Sequence, residues 1–232
     1  MSSTISTCSN SSTLTTDQYL THYWSFDGGE MTDHIGTSDM TQGNLTLFTT
    51  DRFGNANSAL ALNGGWVQVK SGIYFDTPEF TISVWIYPQL LGSNSRVIDF
   101  GDGQSSNNTL LAFYQYSTAS PYFKFYNGST KSIVAIATST QRLALCQWQL
   151  LTVTFSSILN STFIYINGQM IVNLNQSYTP PTINSTRCYV GRSNWQSDGI
   201  SWSYLDDLRF YNKSLSQCEI QSLMNTSSNF KN

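Results

Sequence analysis

The sequence predicts an all-β protein, a two-sheet antiparallel jelly-roll sandwich with one short C-terminal helix. Many short runs of β-branched and aromatic residues are separated by turn signals, which is typical of strands. Aromatic residues make up 14% of the 232 residues and charged residues only 11%, so the chain can bury a large core. Thirteen predicted strands cannot lie in one open sheet without curling, and two facing sheets bury their apolar sides.

The strands are predicted from short apolar segments and their alternation. In Phe80–Tyr87 both faces carry apolar or aromatic residues, which predicts a central strand covered on both sides. The predicted strands are His22–Phe26, Ala59–Leu62, Trp66–Val69, Phe80–Tyr87, Arg96–Phe100, Leu110–Tyr116, Tyr122–Tyr126, Ile133–Ala137, Gln149–Phe155, Thr162–Ile166, Gln169–Leu174, Cys188–Gly191 and Ser201–Tyr211.

Two Asn-Gly pairs predict antiparallel turns. Asn167-Gly168 lies between two apolar runs, and both residue types tolerate the positive φ of a type I′ turn. The pair therefore predicts a tight hairpin within 162–173. Asn127-Gly128 predicts a similar turn with a longer loop.

A single short helix is predicted near the C-terminus. Ser216 and Glu219 have the spacing of a capping box, in which each side chain bonds the backbone N–H of the other residue. Ile220, Leu223 and Met224 then form one apolar stripe, so we expect this helix to cap the sandwich.

The chain is predicted to contain one domain between two polar ends. Eleven of the first 16 residues are Ser or Thr, which predicts a linker over 1–16, and 225–232 reads as a flexible tail. The jelly-roll domain is predicted over 17–224, a length within the range of large single β-domains.

Composition excludes two classes of partner. Eleven basic and 14 acidic residues give a net charge of −3, which disfavours nucleic-acid binding. No apolar run reaches the roughly 18–20 residues of a membrane helix, so we expect no membrane insertion in this segment. Ser, Thr and Asn, 79 residues together, supply most of the polarity.

An extracellular location is predicted from the sequons and cysteines. Nine Asn-x-Ser/Thr triplets exceed the roughly five expected by chance from this composition. They begin at Asn10, Asn44, Asn107, Asn127, Asn160, Asn175, Asn184, Asn212 and Asn225. We therefore expect a module of a secreted or cell-surface glycoprotein, whose leader lay upstream or was removed.

Four cysteines without metal-type spacing predict two disulfides in an oxidising compartment. Three connectivities are possible. If the first and last elements adjoin, Cys8 reaches Cys218 and leaves Cys146 with Cys188; a buried free thiol at Cys146 is the alternative.

Five strings, in order, resemble a laminin-G-like domain of the concanavalin A-like lectin/glucanase superfamily, in its pentraxin-like branch. They are His22-Tyr-Trp-Ser-Phe-Asp27, Ala59-Leu-Ala-Leu-Asn-Gly-Gly-Trp-Val67, Phe80-Thr-Ile-Ser-Val-Trp-Ile-Tyr-Pro88, Tyr165-Ile-Asn-Gly168 and Leu205-Asp-Asp-Leu-Arg-Phe-Tyr-Asn-Lys-Ser-Leu-Ser216. The resemblance implies two curved sheets, with Trp24 and Phe210 in neighbouring terminal strands. It implies no single function, because the fold hosts lectins, adhesion modules, glycosidases and spacers.

The resemblance also implies a structural Ca²⁺ site, since members often bind the ion where the first strand, an early turn and the last long strand meet. The matching positions are Asp27, Asn63, Gly64 and Asp206. Asn63 stands where the family often has Asp. Asp206 shares a strand face with Leu208 and Phe210, which we expect to be buried, so its charge needs a partner. The alternative to calcium is that backbone N–H groups, together with Arg209 or Arg192, compensate the charge of Asp206.

Catalysis is disfavoured by the carboxylates. Glycoside hydrolysis needs a carboxylate pair flanking the bond, yet no two of the three glutamates share a predicted strand. Asp99 and Asp102 flank a glycine turn and are interpreted as loop residues. The two histidines, His22 and His34, have no nucleophile motif beside them.

Aromatic residues are the candidate ligand-binding groups. Tyrosines alternate with phenylalanines in two neighbouring strands, so one face of these strands can present tyrosine rings on which sugars stack. The candidates are Tyr114, Tyr116, Tyr122 and Tyr126, with Trp195 and Trp202 around a polar loop. The alternative is that the tyrosines cover the core and that a loop tryptophan is a hydrophobic plug.

These observations predict a non-catalytic extracellular recognition module that binds glycans or protein partners. The alternative is a structural spacer or self-assembling unit of a filament or coat, whose partners are copies of itself. A glycoside hydrolase is a remote third hypothesis.

Overall fold

The computed structural model describes residues 16–90, 92, 94–103, 106–114, 120–130, 132–175, 178, 180 and 182–225, with the backbone alone for 132–137. The predicted linker and tail lie almost entirely outside these residues. The domain boundaries at 17 and 224 therefore stay predictions.

The described chain is built of strands, with one α-helix and two short 3-10 helices at Asp17–Tyr19 and Asp27–Gly29. The strands are β1 Leu20–Trp24, β2 Met40–Thr49, β3 Ala59–Val69, β4 Gly72–Ile73, β5 Glu79–Pro88, β6 Arg96–Gly101, β7 Asn108–Ala112, β8 Tyr122–Asn127, β9 Ser132–Thr138, β10 Gln149–Ser156, β11 Ser161–Ile166, β12 Gln169–Asn175, β13 Asn184–Ser185, β14 Arg187–Val190 and β15 Ser201–Tyr211. The helix, α1, spans Gln217–Leu223. No described helix has the length and apolarity needed to cross a membrane.

Thirteen strands form one antiparallel ladder that curls on itself. Its order is β12-β11-β10-β5-β15-β3-β14-β6-β7-β8-β9, with β1 beside β15 and β2 beside β3. The far strand β9 approaches β11 and β12, so the two halves of the ladder face each other across one core. The predicted antiparallel sandwich is confirmed, with its two layers joined by hydrogen bonds through β3.

Strand β3 joins the layers because it bends in its middle. Its first residues pair with β15 and its last with β14. Gly64 lies at the bend with φ +72°, a conformation that side-chain-bearing residues rarely adopt. A Cβ on Gly65 would lie 2.2 Å from the Asn44 carbonyl oxygen. The two strands predicted over 59–69 are therefore one bent strand.

The core is formed by the inward side chains of both layers. Strand β5 lies between β10 and β15, which confirms its predicted central position. Trp24 of β1 packs edge-on against Phe210 of β15, with ring centroids 5.2 Å apart, as the resemblance implies. The Asn167-Gly168 hairpin is also confirmed, with φ of 49° and 67°.

The outer face of the β10–β5–β15 layer is covered. Helix α1 begins with the predicted capping box of Ser216 and Glu219 and buries Ile220 and Leu223 against that layer. Tyr23 of β1 packs in the same cluster. The apolar cluster around helix α1 thus covers the outer face of the β10–β5–β15 layer, and the candidate site lies on the outer face of the opposite layer.

Candidate functional site

The outer face of the layer β3, β14, β6, β7 and β8 carries aromatic and charged side chains. Phe123 and Phe125 of β8 point into the core, so Tyr122, Lys124 and Tyr126 point outward by the two-residue period of a strand. Paired residues Tyr189, Asp99, Leu110 and Lys124 form one row across β14, β6, β7 and β8.

A pocket of about 190 Å³ opens on this face. Trp195 stands edge-on to Tyr126, with centroids 5.0 Å apart and planes at 80°. Aromatic rings thus form one wall, and most of the remaining lining is polar or charged. The lining residues are Asn94, Arg96, Leu110, Tyr122, Lys124, Tyr126, Trp195 and Asp198.

Arg96 organises the floor of the pocket. Its Nη2 donates to Asp198 Oδ2 at 2.5 Å, its Nε to Asp99 Oδ2 at 3.3 Å, and its Nη1 to the Tyr122 hydroxyl. Burial alone would lower the pKa of the guanidinium, but these acidic neighbours outweigh burial and raise it. Burial raises the pKa of Tyr122 to about 12. Arg96 therefore stays charged and holds both carboxylates.

The loop over the pocket, residues 191–200, is fastened to the sheet by Asn194. This side chain is only 6% exposed, and its Nδ2 donates to Asp99 Oδ1 at 3.0 Å. Its backbone N–H donates to Asp99 Oδ2 at 3.1 Å. Asp198 also accepts from Ser193 at 2.8 Å and from Asn94 at 2.9 Å. These bonds fix Trp195 and Asp198 before any ligand arrives.

Lys124 is the second cation of the pocket. Its Nζ lies 4.7 Å from the centre of the Tyr122 ring. Burial, reinforced by the nearby Arg96, lowers its pKa. No carboxylate of the described residues lies within 4.0 Å of its Nζ. The ammonium group thus faces the pocket without an ion-pair partner from that part of the chain.

A second aromatic group stands on the same face, two strands from the pocket. Trp66 of β3 and Tyr189 of β14 meet edge to face at 5.2 Å. The Arg192 guanidinium lies 5.0 Å from the centre of each ring. All three side chains are half-buried.

The structure brings together three of the six predicted ligand residues, Tyr122, Tyr126 and Trp195. Tyr114 instead packs against the main core, because β7 ends at Ala112 and the alternation lapses beyond it. Tyr116 lies outside the described residues. Trp202 lies elsewhere, over Gly64 and 38% exposed.

Sequence reasoning missed the polar half of the pocket. Asp99 lies inside β6 and is fully buried, which confirms the strand predicted over Arg96–Phe100 and contradicts the interpretation of Asp99 as a loop residue. Burial raises its pKa, although Arg96 and Asn194 partly oppose this. The available signal was the predicted strand over 96–100, which carries both Arg96 and Asp99. Strict alternation would place them on opposite faces, and the bulge between Arg96 and Ile98 brings them together.

The carboxylate of Asp206, one of the predicted calcium positions, is paired with an arginine. This arginine is Arg52, which is neither Arg209 nor Arg192 as the alternative interpretation expected. Asp27 begins a 3-10 helix, Asn63 pairs with Trp202 in the ladder, and Gly64 lies under the Trp202 ring. Among the described residues no three His, Cys, Asp or Glu side chains gather around one point. Calcium stays a prediction for this chain.

The predicted Cys146–Cys188 disulfide is wrong. Cys146 is an exposed free thiol, and its backbone N–H donates to the carbonyl oxygen of Pro88, the last residue of β5. Cys188 is a free thiol on β14 and is buried in the core. Burial raises the pKa of Cys188 to about 12. The alternative prediction, a buried free thiol at Cys146, is also wrong, because the buried free thiol is Cys188. Cys218 is disulfide-bonded, and its predicted partner Cys8 lies outside the described residues.

The described sequons lie at accessible positions. Six asparagines are exposed and two, Asn107 and Asn127, are half-buried; Asn10 lies outside the described residues. The exposed ones are Asn44, Asn160, Asn175, Asn184, Asn212 and Asn225. Their glycosylation stays a prediction.

Solved structures share this fold at low sequence identity. Domain 4 of AbnA, an extracellular GH43 arabinanase from Geobacillus stearothermophilus solved with arabinotriose, has a TM-score of 0.69 at 18% identity, over 88% of this chain and 98% of its own. The binding domain of Paraclostridial Mosquitocidal Protein 1 has a TM-score of 0.68 at 17% identity, over 90% of this chain and 52% of its own.

A structure of botulinum neurotoxin type C, whose cell entry is described as dependent upon interaction with two ganglioside molecules, has a TM-score of 0.65 at 15% identity, over 90% of this chain and 51% of its own. The chain therefore spans about half the length of these toxin chains.

No curated protein matches the chain. A family model described as the concanavalin A-like lectin/glucanases superfamily matches residues 62–221. These residues include most of both layers of the sandwich and every residue that lines the pocket. The chain belongs to the concanavalin A-like lectin/glucanases superfamily.

Proposed function

We propose that this chain is a non-catalytic recognition module of an extracellular glycoprotein and that it binds glycans in the pocket beside Trp195. The observation that carries the proposal is the pairing of an aromatic wall, Trp195 and Tyr126, with fixed polar groups around one small cavity. The cavity is smaller than the roughly 300–1,000 Å³ of a drug-sized pocket, which suits one sugar unit at a time.

The chemistry of the pocket matches that of a sugar ring. The C–H face of a sugar is apolar and can stack on Trp195, while its hydroxyl groups can bond to polar groups at the rim. Asp198 offers carboxylate lone pairs, and the Asn94 side chain and Lys124 Nζ offer N–H donors. Because Asn194 fixes the loop in advance, little ordering entropy is lost on binding.

The neighbouring structures support glycan binding by analogy. One was solved with arabinotriose, and another belongs to a toxin whose entry depends on gangliosides. At under 20% identity they share the fold with this chain, and the pocket itself carries the proposal.

A binding role fits the carboxylates better than catalysis does. Asp99 and Asp198 both accept from Arg96, and the Ser193 hydroxyl donates to Asp198, so neither carboxylate is placed as a free nucleophile. A glycosidase needs one carboxyl group on each side of the scissile bond. In this pocket the Arg96 guanidinium binds both Asp99 and Asp198 at the floor, so the two carboxylates do not flank a space for the bond.

The extracellular setting is supported by six exposed sequons and the disulfide at Cys218. Mass spectrometry of the protein secreted from a eukaryotic host tests it directly. We expect glycan mass at the exposed sequons. Unmodified asparagines throughout, with Cys218 reduced, would oppose this part of the proposal.

The binding role is tested on a glycan array with added calcium and again with a chelator. We expect Trp195→Ala to weaken the best array signal at least tenfold, as for a central aromatic anchor. Trp202→Ala is the matched control, because Trp202 is also partly exposed but lies outside the pocket. Silence of the wild type, with concentration-dependent self-association, would favour the assembly hypothesis instead.

A further inference from the structure

We propose that the recognition face has a second subsite, formed by Trp66, Tyr189 and Arg192, and that the glycan is an acidic oligosaccharide spanning this subsite and the pocket. The inference rests on the proposed function and names its ligand class.

The second subsite is built as a platform on the sheet. Val67 and Val190 point into the core, so their neighbours Trp66 and Tyr189 point outward. The two rings meet at 78°, and Arg192 lies 5.0 Å from the centre of each. The group offers aromatic faces for stacking and a guanidinium for hydrogen bonding.

The neighbouring strand β2 holds Trp66 in place. A Cβ on Gly43 would lie 2.3 Å from the Trp66 carbonyl oxygen and 2.4 Å from its Cε3. The backbone of β2 therefore lies directly against the indole. A ring restrained in this way loses little freedom when a ligand stacks on it.

The two subsites are continuous. The loop 191–200 supplies Arg192 to one and Trp195 to the other, and three residues of extended chain span at most about 11 Å. In the row Tyr189, Asp99, Leu110 and Lys124, three strand spacings of about 4.8 Å amount to roughly 14 Å. A ligand lying across the strands meets both subsites, whereas a single sugar unit meets only one.

The charges of this face predict the ligand class. Arg52, Arg96 and Arg209 each form an ion pair with a buried aspartate. Within the described part of the chain no carboxylate lies within 4.0 Å of the cationic nitrogens of Lys124 or Arg192. These two cations stand at opposite ends of the face, in a protein whose net charge is −3. A carboxylate or sulfate on the sugar chain would form a charge-assisted bond with either of them.

The test uses an array of oligosaccharides of one to six units, each printed in neutral, sialylated and sulfated forms. We expect the wild type to prefer acidic probes of three or more units. Arg192→Gln should weaken these at least tenfold and leave single-unit probes unchanged. The matched control is Arg142→Gln, which removes one positive charge from an exposed arginine outside the site.

The stacking role of the Tyr189 ring is tested by comparing Tyr189→Ala with Tyr189→Phe, because the phenylalanine variant keeps the ring. The alanine variant should weaken long probes at least fivefold, and the phenylalanine variant should retain them. Near-ultraviolet circular dichroism checks that each variant is folded.

Each failure has a distinct signature. If Trp195→Ala abolishes binding while the Arg192 and Tyr189 variants match the wild type, the second subsite is wrong and the proposed function stands. Equal binding of neutral and acidic probes overturns the ligand class. Silence of the wild type on every probe overturns both proposals.

Discussion

Replacement of Arg52 by Met should destabilise the fold severely, because Arg52 compensates two buried aspartates. Its Nη2 lies 2.6 Å from Asp207 Oδ2, and its Nη1 bonds Asp206. The guanidinium also lies 4.7 Å from the centre of the Trp85 ring. Asp206 and Asp207 face the same arginine because β15 has a bulge there, with a φ of 51° at Asp207.

The expected loss is about 3–5 kcal/mol of unfolding free energy, the usual effect of removing one partner of a buried ion pair. Met retains the length and apolar packing of the side chain, so the loss reports the charge. Asp207 keeps Arg209 at 2.9 Å, whereas Asp206 loses its arginine. Asp206 therefore accounts for most of the effect.

Urea unfolding at pH 9, followed by tryptophan fluorescence, measures this loss, because burial raises the pKa of Asp206 to about 8 and its carboxylate is ionised above that pH. Arg142→Met is the matched control; this arginine is exposed, so we expect a change within about 0.5 kcal/mol. Adding Asp206→Asn to Arg52→Met should restore part of the loss, because the uncompensated charge is removed. A loss below about 1 kcal/mol, or no restoration in the double variant, would refute the reasoning.

Three further predictions concern pH and capping. Burial, followed by the Asp207 charge, raises the pKa of Asp206 from 3.8 to about 8, so its contribution to stability is present below pH 3.8 and is lost as the pH rises through 8. Asp206→Asn should flatten that decline in urea titrations, and an unchanged slope would contradict it. Burial alone would raise the pKa of Asp33, but hydrogen bonds from His22 and from backbone N–H groups hold it well below its ordinary value. Its contribution is therefore present above the ordinary pKa and lost as the pH falls below it, so Asp33→Asn should reduce the acid sensitivity of the melting temperature; equal acid sensitivity would count against this assignment. Ser216→Ala should cost about 0.5–2 kcal/mol through loss of the helix cap, measured by thermal unfolding, with Ser216→Thr as the conservative control; an unaffected alanine variant would show that the cap contributes nothing.

Local patterns were sufficient to predict most strands. The alternation in 80–87 predicts the central strand, and the Asn-Gly pair at 167 predicts a hairpin, because both signals act between near neighbours. Strand β2 was missed. Its sequence is largely polar, and half of its residues, including Leu45 and Leu47, are exposed, so no continuous buried face marks it.

The site depended on contacts that are distant in the sequence. Tyr126 and Trp195 are 69 positions apart and meet only because the loop after β14 crosses the sheet. Arg52 reaches Asp206 across 154 positions. The tyrosine pattern identified Tyr122 and Tyr126 correctly as outward residues, but it could not show that β7 ends before Tyr114.

The covered face has a consequence for how the module is mounted. Strand β1 and helix α1, the first and last regular elements of the sandwich, both pack on the layer opposite the pocket. These two elements of the described chain therefore share the side of the sandwich that lies opposite the pocket. A module anchored through these two elements would present the proposed glycan pocket toward the medium.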